Sequence, residues 1–159
     1  MAALLYRRVG LADVPLLIEL PREGEAGGDR RMPQYLAGEH HPQNALLPRA
    51  MWMATDGDDT PVGYVAGHLT RRFDCDGELQ WIYVVPDHRR THVASELLAL
   101  VAGWFVENGA RRVCVDVGSE DARPFYRYHG AVELNKHWMV WEDIGQSLVM
   151  MKSGAPSNS

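Results

Sequence analysis

The segment from Leu79 to Asn108 constrains the fold more than any other part of this sequence. Leu79 to Val85 is a near-continuous apolar run that ends at Pro86, which is typical of a central strand covered on both faces. After a short polar loop, apolar residues recur at helical spacing from Val93 to Asn108, and Gly109 follows as a stop signal. A buried strand that leads into a long amphipathic helix predicts a layered α/β domain.

Shorter patterns on either side of this unit complete a mixed sheet. Strands are predicted at 4–8, 51–55, 62–73 and 112–117, with one or two more from 132–141 and 148–152, and helices at 13–20, 32–41 and 122–128. The polar, glycine-rich stretch 22–31 is interpreted as a loop. We therefore expect one domain over residues 1–152, with helices on both faces of a sheet, and a disordered tail over 153–159.

Charge, hydropathy and motif content argue against several classes of function. The formal net charge of −5 is the opposite of what a nucleic-acid surface needs. No apolar run is long enough for a membrane helix, and the first residues do not resemble a secretory signal, so we expect a cytoplasmic protein that binds no membrane. Cys75 and Cys114 lack metal-ligand spacing, and no metal site is expected. Motifs of nucleotide hydrolases, dinucleotide oxidoreductases and zinc proteases are absent from the sequence.

The loop between the central strand and the long helix carries two arginines, Arg89 and Arg90. The start of an α-helix presents unpaired backbone N–H groups and the positive end of the helix dipole. Together with the arginine charges, these groups predict a site for phosphate. An ordinary basic helix start would show the same residues, so this pattern alone leaves both interpretations open.

Two motifs around this loop resemble those of the GNAT N-acetyltransferase superfamily. Val84-Val85-Pro86 and then Arg89-Arg90-Thr91-His92-Val93-Ala94 resemble the family's Val-x-Pro and Arg/Gln-x-x-Gly-x-Gly/Ala. Residues 119–131 resemble its Asn-x-x-Ala-x-x-Phe-Tyr-x-x-x-Gly-Phe, with matches at Ala122, Phe125, Tyr126 and Gly130. The two motifs stand in the family's order, and the resemblance covers about residues 4–152. The sequence departs from the patterns at His92, which replaces a glycine, and at Ser119 and Ala131.

The resemblance implies a GNAT-like acyl-CoA N-acyltransferase fold, with a mostly antiparallel sheet of about six or seven strands. It implies acetyl-CoA as the acyl donor and a small-molecule or peptide amine as the acceptor, which attacks directly. The pantetheine arm would pair with backbone groups around Tyr83 to Val85, and a backbone N–H near Val84 would stabilise the oxyanion. The pyrophosphate would lie on the N–H groups from Arg90 to Ser95. The residues expected at the cofactor are Tyr83, Val84, Val85, Arg89, Arg90, Thr91, His92, Val93, Ala94, Ser95 and Ser119.

The resemblance also implies two catalytic groups. A lysine-like amine has a pKa near 10.4, so the acceptor needs a base, and Glu78 lies where many family members carry a glutamate. Asp76 and Glu120 are weaker candidates for this base. Tyr126 matches the family tyrosine that faces the sulfur and would protonate the leaving thiolate. The alternatives are a solvated charge at a strand end for Glu78 and a packing aromatic for Tyr126.

Three further points stay open at the level of sequence. His92 in the phosphate loop leaves a catalytically weak acyl-CoA-binding or regulatory domain as the rival function. Trp138 and Trp141 are interpreted as core residues, with an acceptor pocket or a homodimer interface as alternatives. Arg71 and Arg72 are interpreted as a solvated strand end, with contact to a nucleotide phosphate as the alternative.

Overall fold

The computed structural model describes residues 4–20, 31–41 and 45–153. The strands are β1 (Leu5–Arg8), β2 (Leu46–Thr55), β3 (Pro61–Leu69), β4 (Gly77–Val84), β5 (Val113–Asp116), β6 (Val132–Glu133) and β7 (Trp138–Trp141). The α-helices are α1 (Val14–Ile18), α2 (Met32–Leu36), α3 (Val93–Glu107), α4 (Arg123–Tyr128) and α5 (Ile144–Ser153). Short 3-10 turns precede α1 and α4 and also follow β3 and β4.

Within the described residues, the seven strands form one sheet in the order β1-β2-β3-β4-β5-β7-β6. Each neighbouring pair is antiparallel except β4 and β5, which run parallel. The parallel pair is joined by α3, because a parallel connection must cross from one end of the sheet to the other. The mixed, mostly antiparallel sheet expected from the sequence is confirmed.

The two faces of the sheet bury separate hydrophobic clusters. On one face, α1 and α2 pack against the sheet and form a cluster with its strands that includes Val14, Leu17, Met32, Tyr35, Met51, Met53, Tyr64 and Tyr83. On the other face, α3 and α5 cover a larger cluster that includes Leu79, Val84, Leu97, Val101, Phe105, Val113, Val115, Ile144 and Leu148. Both faces of β4 are therefore packed, as its continuous apolar run indicated.

Helix α3 approaches the sheet closely because two strand residues have no side chain. A Cβ at Gly67 would lie 2.7 Å from Cζ of Phe105, and a Cβ at Gly77 would lie 2.5 Å from its Cε1. Phe105 is 1% exposed and fills the space above both glycines. This contact fixes α3 against the beginning of β4, which is the strand that leads toward the phosphate loop.

The C-terminal strand predicted at 148–152 is wrong, because this segment belongs to α5. Asp143 caps the start of the helix, and its Oδ1 accepts a hydrogen bond of 3.1 Å from the backbone N–H of Gln146. Ile144 and Leu148 are buried and Met151 packs beside them, at the spacing of one helical face. A four-residue apolar run does not distinguish a strand from a buried helix face.

Several predicted boundaries also change. Helix α2 ends at Leu36 rather than His41, because Gly38 takes a positive φ of 81° after the last turn. Strand β3 ends at Leu69 rather than Phe73, where the chain turns with a positive φ of 53° at Phe73. Strand β2 begins at Leu46 rather than Met51.

Some of the expectations fall outside the part of the chain that the structure describes. The loop predicted at 22–31 lies there except for its last residue, and so does the predicted tail after residue 153, which is the last residue of α5. None of the helices in the described ranges combines the length and apolar character needed to cross a membrane.

Candidate active site

A cleft opens where β4 and β5 separate. Among the described residues, their pairing is limited to Gly77–Val113, Glu78–Cys114 and Leu79–Val115. Beyond this point β4 continues to Val84 while paired with β3 on its other side. The register between β3 and β4 shifts next to Gln80, and such a bulge bends a strand. The resulting cleft has a volume of about 410 Å³ and is lined by Glu78, Tyr126, Trp81, Tyr83, Asp116 and Trp138, among others.

The backbone of β4 turns polar groups into this cleft. The N–H of Val85 donates a hydrogen bond of 2.9 Å to the carbonyl oxygen of Val62 on β3. Because hydrogen-bonding groups alternate sides along a strand, the N–H and C=O of Val84 point to the open side. The carbonyl oxygen of Val84 accepts a hydrogen bond of 2.9 Å from Nε of Arg89. Of the three residues predicted to pair with a pantetheine arm, Val84 is the one whose backbone groups point away from β3, and Tyr83 is the one that lines the cleft.

The loop that follows β4 brings exposed basic side chains to the start of α3. Arg89 and Arg90 are exposed, as are Thr91 and His92, whereas Ala94 and Ser95 are half-buried and Val93 is part of the core. Arg90 has a positive φ of 60°. His92 is the residue before the helix, and its side chain makes no capping hydrogen bond. The first N–H groups of α3 therefore depend on Thr91, whose Oγ1 lies 3.5 Å from the nitrogen of Val93, and on solvent or a ligand.

The backbone conformation of His92 shows whether this position requires the glycine of the family pattern. Its φ is −92°, a value that any L-amino acid adopts, so the backbone there does not require glycine. The side chain is exposed and lines a groove beside α3 with Ser95 and His129. Oγ of Ser95 lies 2.9 Å from Nε2 of His129, which connects α3 to the end of α4.

Glu78 lies on β4, lines the cleft and is 6% exposed. Its Oε1 lies 3.2 Å from Nε of Arg72 and 3.6 Å from Nε2 of His68. Arg72 also places its guanidinium over the ring of Trp138 at 4.7 Å. Arg72 is therefore not a solvated strand end. It is held between a carboxylate and an aromatic face.

Tyr126 lies on α4 and faces the same cleft, with 5% of its surface exposed. Burial raises the pKa of Tyr126 to about 12, and the nearby Asp116 carboxylate contributes to the increase. The phenol therefore keeps its proton at neutral pH, as a proton donor must. Its ring packs edge-on against Trp141 at 5.9 Å, so Tyr126 is also part of the core.

The weaker base candidates have other partners. Oδ2 of Asp76 accepts hydrogen bonds from the backbone N–H groups of Arg111 and Arg112, at 2.9 and 3.0 Å. Glu120 pairs with Arg123 at 2.9 Å, and this contact lowers the pKa of Glu120. Neither carboxylate is among the residues that line the cleft.

Two other positions singled out in the sequence take structural roles. Oγ of Ser119 accepts a hydrogen bond of 3.2 Å from the N–H of Asp121 at the turn before α4. Trp141 is 1% exposed, and its Nε1 donates a hydrogen bond of 3.0 Å to the carbonyl oxygen of His129. Trp141 is thus a core residue, whereas Trp138 lines the cleft.

Sequence reasoning missed three residues of this site: Asp116, His68 and Tyr35. Asp116 ends β5 and could have been found as the polar residue that closes an apolar alternation. His68 and Tyr35 carry no local signal, because their importance comes from contacts 33 residues apart in the chain. In the described ranges, no group of three or more His, Cys, Asp or Glu side chains is placed to hold a metal ion.

Comparison with known proteins agrees with this geometry. The sequence model of the acetyltransferase (GNAT) family matches residues 18–131. The chain is similar to an acetyltransferase from Thermus thermophilus, with 20% identity, a TM-score of 0.66, and coverage of 88% of this chain and 98% of that one. It is also similar to the PaiA N-acetyltransferase from Thermoplasma acidophilum in complex with coenzyme A, with 14% identity, a TM-score of 0.61, and coverage of 87% and 98%.

A third similar structure is a chimera of the spermidine N-acetyltransferase SpeG from Vibrio cholerae with hSSAT. Its identity is 13%, its TM-score is 0.63, and the match covers 92% of this chain and 98% of that one. Identities at this level show a shared fold. No curated protein sequence matches the chain significantly.

Proposed function

Because this chain belongs to the GNAT acetyltransferase family, we propose that it transfers an acetyl group from acetyl-CoA directly to an amine. The observation that carries the proposal is the separation of β4 from β5 next to the start of α3. One open strand edge supplies backbone groups for an extended ligand arm, and the helix start beside it supplies groups for phosphate. Both features belong to one stretch of the chain, because β4 ends at Val84 and α3 begins at Val93.

On the donor side, this chain offers backbone groups and positive charge. The N–H groups from Arg90 to Ser95 would bind the pyrophosphate, with Arg89 and Arg90 adding charge at the loop. Backbone groups of β4 up to Val85 would pair with the pantetheine arm. The N–H of Val84 would then donate to the thioester oxygen as negative charge develops on it. Placing both reactants in one cleft contributes much of the rate.

On the acceptor side, Glu78 would take the proton that the amine must lose before or during attack, directly or through a water molecule. Tyr126 would give its phenolic proton to the sulfur as the carbon–sulfur bond breaks. An acceptor that arrives as an ammonium loses one proton before attack and a second from its nitrogen after attack, while the thiolate gains one from Tyr126. The transfer therefore leaves an amide, a free thiol and one released proton. The raised pKa of Tyr126 supports its role as donor, because it keeps the phenol protonated.

The acceptor is proposed only as a small-molecule or peptide amine. The similar SpeG chimera is a spermidine N-acetyltransferase, and a polyamine is therefore one member of the panel to test. The carboxylates of Glu78 and Asp116 at the cleft suit a cationic group. A homodimer remains a separate proposal that solution mass measurement would test.

The experiment is a thiol-release assay with acetyl-CoA and a panel of polyamines, amino acids, aminoglycosides and peptide N-termini. A melting scan with CoA accompanies it, because a ligand at 100 times its Kd stabilises by about 2.7 kcal/mol. That stabilisation corresponds to a rise in Tm of about 5–10 °C for a domain of this size. Thiol release that depends on an amine supports the enzyme. A Tm shift without release with any amine would favour the acyl-CoA-binding domain, and no shift would contradict both.

A further inference from the structure

Behind Glu78, two fully buried polar residues from other elements form a chain of contacts. The hydroxyl of Tyr35, on α2, lies 2.8 Å from Nδ1 of His68, on β3. Nε2 of His68 lies 3.6 Å from Oε1 of Glu78, on β4. Tyr35 and His68 are both 0% exposed. Such a buried polar chain requires an explanation, because apolar side chains would fill the same space without a desolvation cost.

The sheet register holds the polar contacts between Tyr35, His68 and Glu78 in place. His68 is the direct cross-strand partner of Glu78 on one side and of Arg49 on the other. Side chains at paired positions project from the same face of the sheet, within contact distance. Arg49 donates a hydrogen bond of 2.8 Å to the carbonyl oxygen of Tyr35, and its guanidinium lies over the Tyr35 ring at 4.7 Å. Arg49 therefore fixes α2 above His68.

Hydrogen-bond chemistry assigns a direction to the chain. A carboxylate only accepts, so a neutral His68 that faces Glu78 must carry its proton on Nε2. Nδ1 then accepts, and the Tyr35 hydroxyl is its donor. Burial raises the pKa of Tyr35, which keeps this donor protonated. Nε2 is buried and has no hydrogen-bond partner among the described residues, so the Glu78 carboxylate is the acceptor within reach of a small movement.

The charged groups around Glu78 converge on one of its two oxygens. Arg72, from the turn after β3, lies 3.2 Å from Oε1, which is the same atom that His68 approaches. Cys114 is the cross-strand partner of Glu78 on β5. Arg72 and His68 each contact Glu78 at Oε1. Oε2 is the second proton-accepting oxygen of the same carboxylate.

We propose that His68, held in its Nε2–H tautomer by Tyr35, is a positioning residue that orients Glu78 so that Oε2 takes the proton of the acceptor amine. This inference rests on the proposed role of Glu78. The proton leaves the amine nitrogen and binds Oε2, while Oε1 keeps its contacts with His68 and Arg72. His68 and Tyr35 gain and lose no proton in this step.

The first test does not depend on activity. Nitrogen-15 NMR of histidine-labelled protein distinguishes the two neutral tautomers, and the His68→Gln variant assigns the His68 signals among those of the seven histidines. We expect the Nε2–H tautomer in the unmodified chain and a mixture in Tyr35→Phe. Tyr6→Phe is the matched control, because it removes a phenol on β1, away from the cleft, and should leave His68 unchanged. An Nδ1–H tautomer would overturn the proposal.

The second test measures kcat/KM against pH with the best amine. His68→Leu removes the polar N–H beside the carboxylate, so the acidic limb of the profile should move to higher pH by about one unit. kcat/KM at neutral pH should fall about 10-fold. His68→Gln keeps an amide N–H near the Nε2 position and should stay within about 3-fold of the unmodified enzyme.

The outcomes separate this inference from the proposed function. If the unmodified chain shows no amine-dependent thiol release, the proposed function fails and the NMR result alone decides whether Tyr35 sets the His68 tautomer. If the chain is active but His68→Leu keeps the acidic limb in place, or if Gln and Leu at position 68 lose activity equally, the positioning role is wrong. Should His68→Leu fail to fold, Tyr35→Phe carries the kinetic test, with a smaller shift in the same direction.

Discussion

Replacing Gly77 with alanine should destabilise the protein through a single contact. The added Cβ would lie 2.5 Å from Cε1 and 2.7 Å from Cδ1 of Phe105, about 1 Å inside normal contact. Phe105 cannot move away, because the position of Gly67 is equally close to its Cζ. Overpacking of this kind costs about 1–3 kcal/mol, and the lower entropy of the unfolded alanine chain offsets about 0.4–1 kcal/mol. We therefore expect a net loss of about 1–2 kcal/mol.

Urea unfolding measures this loss, and a melting scan should show a Tm lower by about 2–8 °C. Gly103→Ala is the matched control, because its Cβ meets nothing closer than a Leu148 methyl at 3.9 Å. In the middle of α3 it should instead stabilise by about 0.5–1 kcal/mol. Gly77→Ala should also cost less in a Phe105→Leu background than alone. A neutral Gly77→Ala, or equal costs in both backgrounds, would refute the packing argument.

Three further predictions concern the cleft and the phosphate loop. Tyr126→Phe should lower kcat by about 10- to 1000-fold with little change in CoA affinity, and an unchanged kcat would show that Tyr126 is only a core residue. Because the pKa of Tyr126 is about 12, loss of its proton should reduce the kcat of the unmodified enzyme only above about pH 11. Glu78→Gln should reduce activity most at neutral pH and less at high pH, where the amine loses its proton unaided. A pH–rate profile of the variant that runs parallel to that of the unmodified enzyme would contradict the base role. Calorimetric titration of CoA at pH 6 and pH 8 should show weaker binding at pH 8 if His92 donates a hydrogen bond to a phosphate, and His92→Gly should abolish that difference. If the His92→Gly variant instead binds CoA more tightly at both pH values, the His92 side chain obstructs the site.

The unit from β4 to α3 was predictable because its signals are local. The apolar run of the strand, Pro86 and the helical spacing after Val93 all lie within one short stretch. The C-terminal helix was missed for the opposite reason. Its apolar run is short, and its helical face is visible only when Ile144 is included with Leu148 and Met151.

The candidate site divides in the same way. Glu78, Tyr126 and the loop residues belong to motifs, so the resemblance could place them in the sequence. The chain from Tyr35 through His68 depends on the register of β3 with β4 and on the docking of α2. No local pattern encodes such contacts, because they arise only when elements distant in sequence pack together.

The position of His92 shows a limit of motif comparison. A glycine in a family pattern indicates a need for positive φ or for space, but the sequence does not say which. Here the positive φ falls at Arg90, and His92 has an ordinary φ with an exposed side chain. Space for the ligand is therefore the question that the calorimetric comparison addresses.

The fate of the acetyl carbon tests the central claim most directly. Acetyl-CoA labelled with carbon-13 at the acetyl carbonyl is incubated with the protein and the best amine, and carbon NMR follows the label. Direct transfer predicts that the label moves from the thioester to an amide of the acceptor, at a rate that Tyr126→Phe reduces. Label that stays in the thioester, or that appears as free acetate with no labelled amide, would contradict the account.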